Sequence, residues 1–173
     1  MKAFRVVDFD KPALFCEIPR QQPQHGQVEV KIEACGLNFA DLLMQKNQYQ
    51  DTPCVPFTMG LELSGQITAI GSNTKSPEIG TRVTVFSGQG GLAEYGYFPA
   101  ERLVRIPDKM PSEIAAGFQI AYGTSHVALK HCANLNKKNT LLVLGAAGGV
   151  GLTAVELGKY FGAHVIAAAR GRE

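Results

Sequence analysis

The chain of 173 residues contains no tryptophan and no CxxC pair. Cys16, Cys35, Cys54 and Cys132 stand far apart, and their spacing matches no zinc signature. They read as reduced thiols, mostly buried, because free cysteine is among the most buried residue types. No run of 18 apolar residues occurs, so no membrane-spanning helix is expected. Lys2, Arg5 and Asp8 fall where a signal peptide needs an apolar core, which points to a cytoplasmic protein. An excess of one charge is also missing: 17 Lys+Arg face 15 Asp+Glu, for a net +2, with no basic block. That balance offers no foothold to nucleic acid or to an anionic membrane. What is present is 45% hydrophobic residues and 19 glycines, a composition for a folded chain.

The first 105 residues read mainly as strands. Residues 2–7 form a short one. Residues 27–34 alternate, with Val28, Val30, Ile32 and Ala34 apolar and Glu29, Lys31 and Glu33 between them, as in a strand with one wet face. Asn38 suits a helix N-cap, and residues 39–45 suit a short helix with Leu42 and Leu43 inward. Residues 47–58 hold Pro53 and Pro56 and read as loop. Strands are expected again at 63–70, 82–86 and 92–98, separated by glycine-rich turns, a spacing that favours a barrel or sandwich.

The pattern changes near Pro107. Pro111 and Ser112 open a helical region to about Cys132, with Ile114, Ala115, Phe118, Tyr122, Val127 and Leu129 as its buried positions. A polar turn at 136–139 precedes the apolar run 140–144, expected to be a strand covered on both faces. A helix over 149–161, closed by Gly162, and a second strand over 164–168 complete one β-α-β unit.

Between that first strand and its helix lies Gly145-Ala146-Ala147-Gly148-Gly149-Val150-Gly151. A dinucleotide loop needs glycine for a tight turn, for close approach of backbone to a pyrophosphate, and for helix–strand packing. The free N–H groups and positive dipole end of the helix then face the phosphates. The spaced pattern Ala146-x-Gly148-x-x-Gly151 has alanine in its first position. An NAD site usually carries Asp or Glu after the second strand, to accept from the ribose 2′-hydroxyl. This chain has Ala169, Arg170 and Arg172 instead, guanidiniums suited to a 2′-phosphate, so NADP(H) is the expected cofactor.

These motifs have company. Residues 34–41 (Ala-Cys-Gly-Leu-Asn-Phe-Ala-Asp), 60–65 (Gly-Leu-Glu-Leu-Ser-Gly), 91–95 (Gly-Leu-Ala-Glu-Tyr), 121–124 (Ala-Tyr-Gly-Thr) and 145–151 stand in one order. In that series the chain resembles the N-terminal half of the zinc-independent quinone oxidoreductases of the medium-chain dehydrogenase/reductase superfamily. The resemblance implies an α/β plus β fold: a GroES-like β-barrel catalytic domain over 1–118, then the first β-α-β unit of a truncated Rossmann domain over 119–173. It implies Asn38, Asp41 and Tyr49 as catalytic residues near the nicotinamide. Thr124 would join residues 145–151, Ala169 and Arg170 in holding the cofactor. Zinc-dependent relatives carry Cys where Asn38 stands and His where Leu61 stands, so no metal is expected. His126 and His131 are five apart, a spacing that does not share an α-helical face.

The implied activity is hydride transfer from NADPH to a quinone or activated alkene, by a parent protein that pairs as a homodimer. The alternative is a folded, non-catalytic fragment, because a doubly wound dinucleotide domain needs about six strands. On either reading this chain alone is expected to bind cofactor weakly and to turn over slowly or not at all.

Overall fold

The computed structural model describes residues 1–171, which fall into two compact units, Met1–Gly117 and a second beginning at Phe118. In the first unit, β1 (Lys2–Val6) pairs antiparallel with β2 (Leu14–Glu17) and with β4 (Phe57–Thr58). A five-stranded antiparallel sheet holds β3 (Gln27–Gly36), β5 (Glu62–Ile70), β6 (Arg82–Phe86), β7 (Tyr95–Pro99) and β8 (Leu103–Arg105), in the order β7-β3-β5-β6-β8. Its core is Val28, Val30, Leu63, Ile67, Val83, Val85 and Phe98, each 0–3% exposed. The short helix α2 (Ser112–Ala116) is tied to this sheet by hydroxyls: Ser64 donates to the Ser112 carbonyl, and Thr84 to the carbonyls of Leu63 and Ala115.

Several expectations need correction here. β2 and β8 lie where no strand was expected, and β4 falls inside the expected loop. They are two to four residues long, too short for alternation to register. Residues 92–94 precede β7 rather than open it, although Ala93 makes a single bridge to Ala3. Glu29 is not on a wet face. It is 2% exposed, because Arg20 grips its carboxylate through two bonds of 2.8 and 2.6 Å, and Thr68 and Tyr97 donate to it as well. In α1 (Phe39–Gln45) the inward residues are Asp41 and Met44, one turn apart, while Leu42 is exposed. None of the four cysteines is fully buried. Cys16 and Cys35 are partly covered, Cys54 sits in the proline-bounded loop and Cys132 ends a helical turn, both exposed.

The second unit runs α3 (Phe118–His126), a π-helical turn Val127–Cys132, β9 (Thr140–Leu144), α4 (Gly149–Tyr160) and β10 (His164–Ala168). β9 and β10 pair in parallel, from Thr140 opposite His164 to Leu144 opposite Ala168. Helix α4 packs on them closely enough that a Cβ at Gly158 would meet Leu141 Cδ2 at 2.6 Å. Ser125 and Thr153, both buried, join α3 to α4 by a 2.8 Å hydroxyl contact. The expected two-sided cover of the strands is not present in this chain. Leu142, Leu144 and Ile166 are exposed, as are Ile114, Phe118 and Val127 of the preceding helical region.

Candidate active site

In the first unit the residues around 38 and 62 form a hydrogen-bonded cluster. Asn38 holds the N-cap of α1 with extended backbone, φ −126° and ψ 154°. Its N–H donates to Asp41 Oδ2 at 2.9 Å, and its side-chain Nδ2 donates to Glu62 Oε1 at 3.0 Å. The other Asp41 oxygen accepts from the Gly60 N–H at 3.1 Å. Asp41 therefore locks the start of α1 to the turn before β5. Burial pushes its carboxyl above the ordinary range, and the N–H groups of Asn38, Gly60 and Leu61 pull against that shift.

Small residues make this cluster possible. A Cβ at Gly36 would lie 2.7 Å from Glu62 Oε1 and 2.6 Å from the Ala116 carbonyl. Gly60 has φ +97°, and a Cβ there would meet the Cys35 sulfur at 2.7 Å. Burial first, then the charges of Asp41 and Glu62, push the Cys35 thiol up to about 12, so it is no ready nucleophile. Asn38 and Asp41 are thus brought together. Tyr49 is half-buried in the loop after α1, where its carbonyl accepts from Thr52 Oγ1 at 2.6 Å. The bonds that join Asn38, Asp41, Gly60 and Glu62 do not involve Tyr49. Glu62 was outside the expected catalytic set. Its signal was its place in the 60–65 motif, but burial at 2% and the amide partner emerge only in three dimensions.

In the second unit the glycine loop turns at its first residue. Gly145 takes φ +70°, so the tight turn falls one residue before Ala146. Ala146 itself is 6% exposed and donates its N–H to the Ala168 carbonyl at 3.0 Å. An alanine is tolerated in the first spaced position because the positive-φ turn falls on Gly145 before it. A Cβ at Gly151 would lie 2.2 Å from the Gly145 carbonyl, whereas one at Gly149 would meet nothing within 4 Å. Gly148 caps α4, and its N–H donates to the Gly145 carbonyl at 3.0 Å. The result is a hollow of about 550 Å³ lined by Gly145, Ala147, Gly148, Ala168, Ala169 and Arg170. Ala146, Gly149, Val150, Gly151 and Thr124 do not line it; Thr124 is exposed on α3. Arg172 lies outside the described residues.

Comparison with known proteins supplies the family. Residues 24–108 match the alcohol dehydrogenase GroES-like domain. A quinone oxidoreductase-like protein 2 homolog of Nematostella vectensis is 44% identical over 147 residues, 84% of this chain and 40% of that protein. The human quinone oxidoreductase is 32% identical over 173 residues, 98% of this chain and 53% of that protein. The chain thus spans about half, or less, of these relatives' length. A solved quinone oxidoreductase from Thermus thermophilus, described together with its NADPH complex, superposes with a TM-score of 0.86 at 32% identity, covering 98% of this chain and 53% of that one. The cluster around Asn38, the glycine loop and these likenesses place the chain among the quinone oxidoreductase-like members of the medium-chain dehydrogenase/reductase superfamily, with an alcohol dehydrogenase GroES-like domain over residues 24–108.

Proposed function

We propose that the protein is an NADPH-dependent oxidoreductase that passes a hydride to a quinone or an activated alkene without zinc, and that its first unit is the barrel of the catalytic domain. The observation that carries this is the hollow of the second unit. It joins a positive-φ glycine, the amino end of a 12-residue helix and Arg170, and among the described residues its lining contains no carboxylate. A Cβ at Gly149 would meet nothing within 4 Å and one at Gly148 only the Gly145 carbonyl at 3.4 Å, so the helix end has room for a pyrophosphate and the residues present fit one. Gly145, Ala147 and Gly148 would hold the pyrophosphate, and Ala169 and Arg170 the adenosine ribose with its 2′-phosphate. When bound, the nicotinamide supplies the hydride.

The chain's own groups then bind and orient. Asn38 spends one amide hydrogen on Glu62, which fixes the plane of its side chain. Its second amide hydrogen can donate to an acceptor oxygen as negative charge develops there. Asp41, with both oxygens engaged by backbone N–H groups, positions Asn38 rather than delivering a proton. Leu61 is buried and apolar where a zinc-dependent relative has a ligand, which supports a zinc-free acceptor site. Tyr49 is assigned the wall of the acceptor pocket, and Thr124 a cofactor contact.

The test is a fluorescence titration of the chain with NADPH and NADH. NADPH is expected to bind more tightly, and Arg170→Gln to reduce that preference about tenfold, the scale of one charge-assisted phosphate contact. Equal affinity for the two nucleotides, or a preference untouched by Arg170→Gln, would sink the cofactor assignment. Quinone reduction by the isolated chain is expected to be slow, and rapid turnover would show that these residues suffice.

A further inference from the structure

The second unit holds a side-chain pair that hydride chemistry does not use. His126 ends α3, and His131 lies in the π-helical turn Val127–Cys132. Residues five apart on an α-helix point roughly 140° away from each other. A π turn repeats its hydrogen bonds at five residues and brings such positions into line. The sequence-based expectation for this pair is therefore corrected: the two ring centroids lie 5.4 Å apart, with planes at 61°. Phe161 backs His126 edge-on at 5.9 Å, and Lys130 sits over the same Phe161 ring at 5.3 Å. Both imidazoles are exposed.

That spacing has a chemical meaning. Two imidazole nitrogens on one tetrahedral ion, each at roughly 2.0–2.1 Å, place their ring centroids about 5 Å apart. We propose that His126 and His131 form a bidentate site for a first-row divalent cation of the zinc, copper or nickel type. Imidazole suits these ions, whereas magnesium and calcium need oxygen ligands. Among the described residues no third His, Cys, Asp or Glu completes a cluster, so the ion keeps open positions and exchanges readily. Lys130 adds like charge nearby and holds the affinity down. Since the π winding brings the two rings within 5.4 Å, a bound ion staples that turn, and part of its binding energy appears as stability of the second unit.

The experiment is calorimetric titration of the 173-residue chain with zinc chloride and with nickel chloride, beside His126→Asn, His131→Asn, Cys132→Ser and His164→Asn. One saturable site is expected. Losing either imidazole should weaken it about a hundredfold, the usual loss when a two-point attachment becomes one-point. Cys132→Ser and His164→Asn should leave it unchanged. Both histidines are exposed, so the Asn variants are expected to keep the wild-type far-ultraviolet circular dichroism. Added zinc should raise the melting temperature of the wild type and not of either Asn variant. The proposal is overturned if no saturable binding occurs, if binding survives both histidine substitutions, or if Cys132→Ser abolishes it.

Discussion

The two units bury their apolar side chains in different ways. In the first, seven core residues between the strands are 0–3% exposed, and hydroxyls of Ser64 and Thr84 pin a helix over them. In the second, the cluster of Leu129, Leu135 and Ala163 is 6–9% exposed, while Leu142, Leu144, Val150, Leu152 and Ile166 face out. The sheet core of the first unit is covered by its own residues, although Phe15, Leu37 and Phe39 outside that core are exposed. The second has a well-formed loop and helix on a sheet with an uncovered apolar face. The glycine loop thus takes its shape from local backbone geometry although the sheet beside it keeps an exposed apolar face.

The largest expected effect breaks or upholds this contrast directly. Leu63→Ala in the first unit should cost about 3 kcal/mol, as a fully buried leucine does. Leu144→Ala, at 76% exposure, should stay within about 0.5 kcal/mol. Urea unfolding followed by circular dichroism measures both, and similar losses would erase the distinction.

A second comparison lies inside the glycine loop. Gly151→Ala puts a methyl 2.2 Å from the Gly145 carbonyl and should cost about 1–3 kcal/mol, together with NADPH binding. Gly149→Ala enters open space in the first turn of α4 and should be neutral or slightly stabilising. Equal effects would mean that the loop does not hold the turn described.

The smallest effect is in acid. Arg20, then Thr68 and Tyr97, hold the Glu29 carboxyl below its ordinary value against the cost of burial. A depressed folded-state pKa stabilises the fold above the unfolded value and loses that contribution as pH falls through the folded one. Arg20→Gln should therefore destabilise the first unit at neutral pH and above and move its acid-unfolding midpoint to higher pH, with the difference from the wild type narrowing as pH falls through the folded-state value of Glu29. An unchanged acid midpoint would show that Thr68 and Tyr97 suffice.

Much of the fold was legible along the chain. The run 140–144, the glycines after it and the apolar 164–168 give β9, α4 and β10 within a residue or so, because period and punctuation are local signals. The alternation at 27–34 marks β3 but misplaces Glu29, since nothing near it in sequence announces Arg20, Thr68 and Tyr97, 9, 39 and 68 residues away. Asn38 was visible as a cap, and Asp41 through the family resemblance. Their joint attachment to Glu62 and Gly60 was not, because it depends on how β5 docks beside α1.

By itself the sequence determined the family motifs, the turn chemistry of the loop and the missing carboxylate beside Arg170. Only the tertiary structure decided that the tight turn is at Gly145 and not at 146, that Glu29 and Glu62 are buried, and that His126 meets His131. Each of these depends on backbone winding or on a partner distant in sequence, and neither leaves a period in the residues themselves.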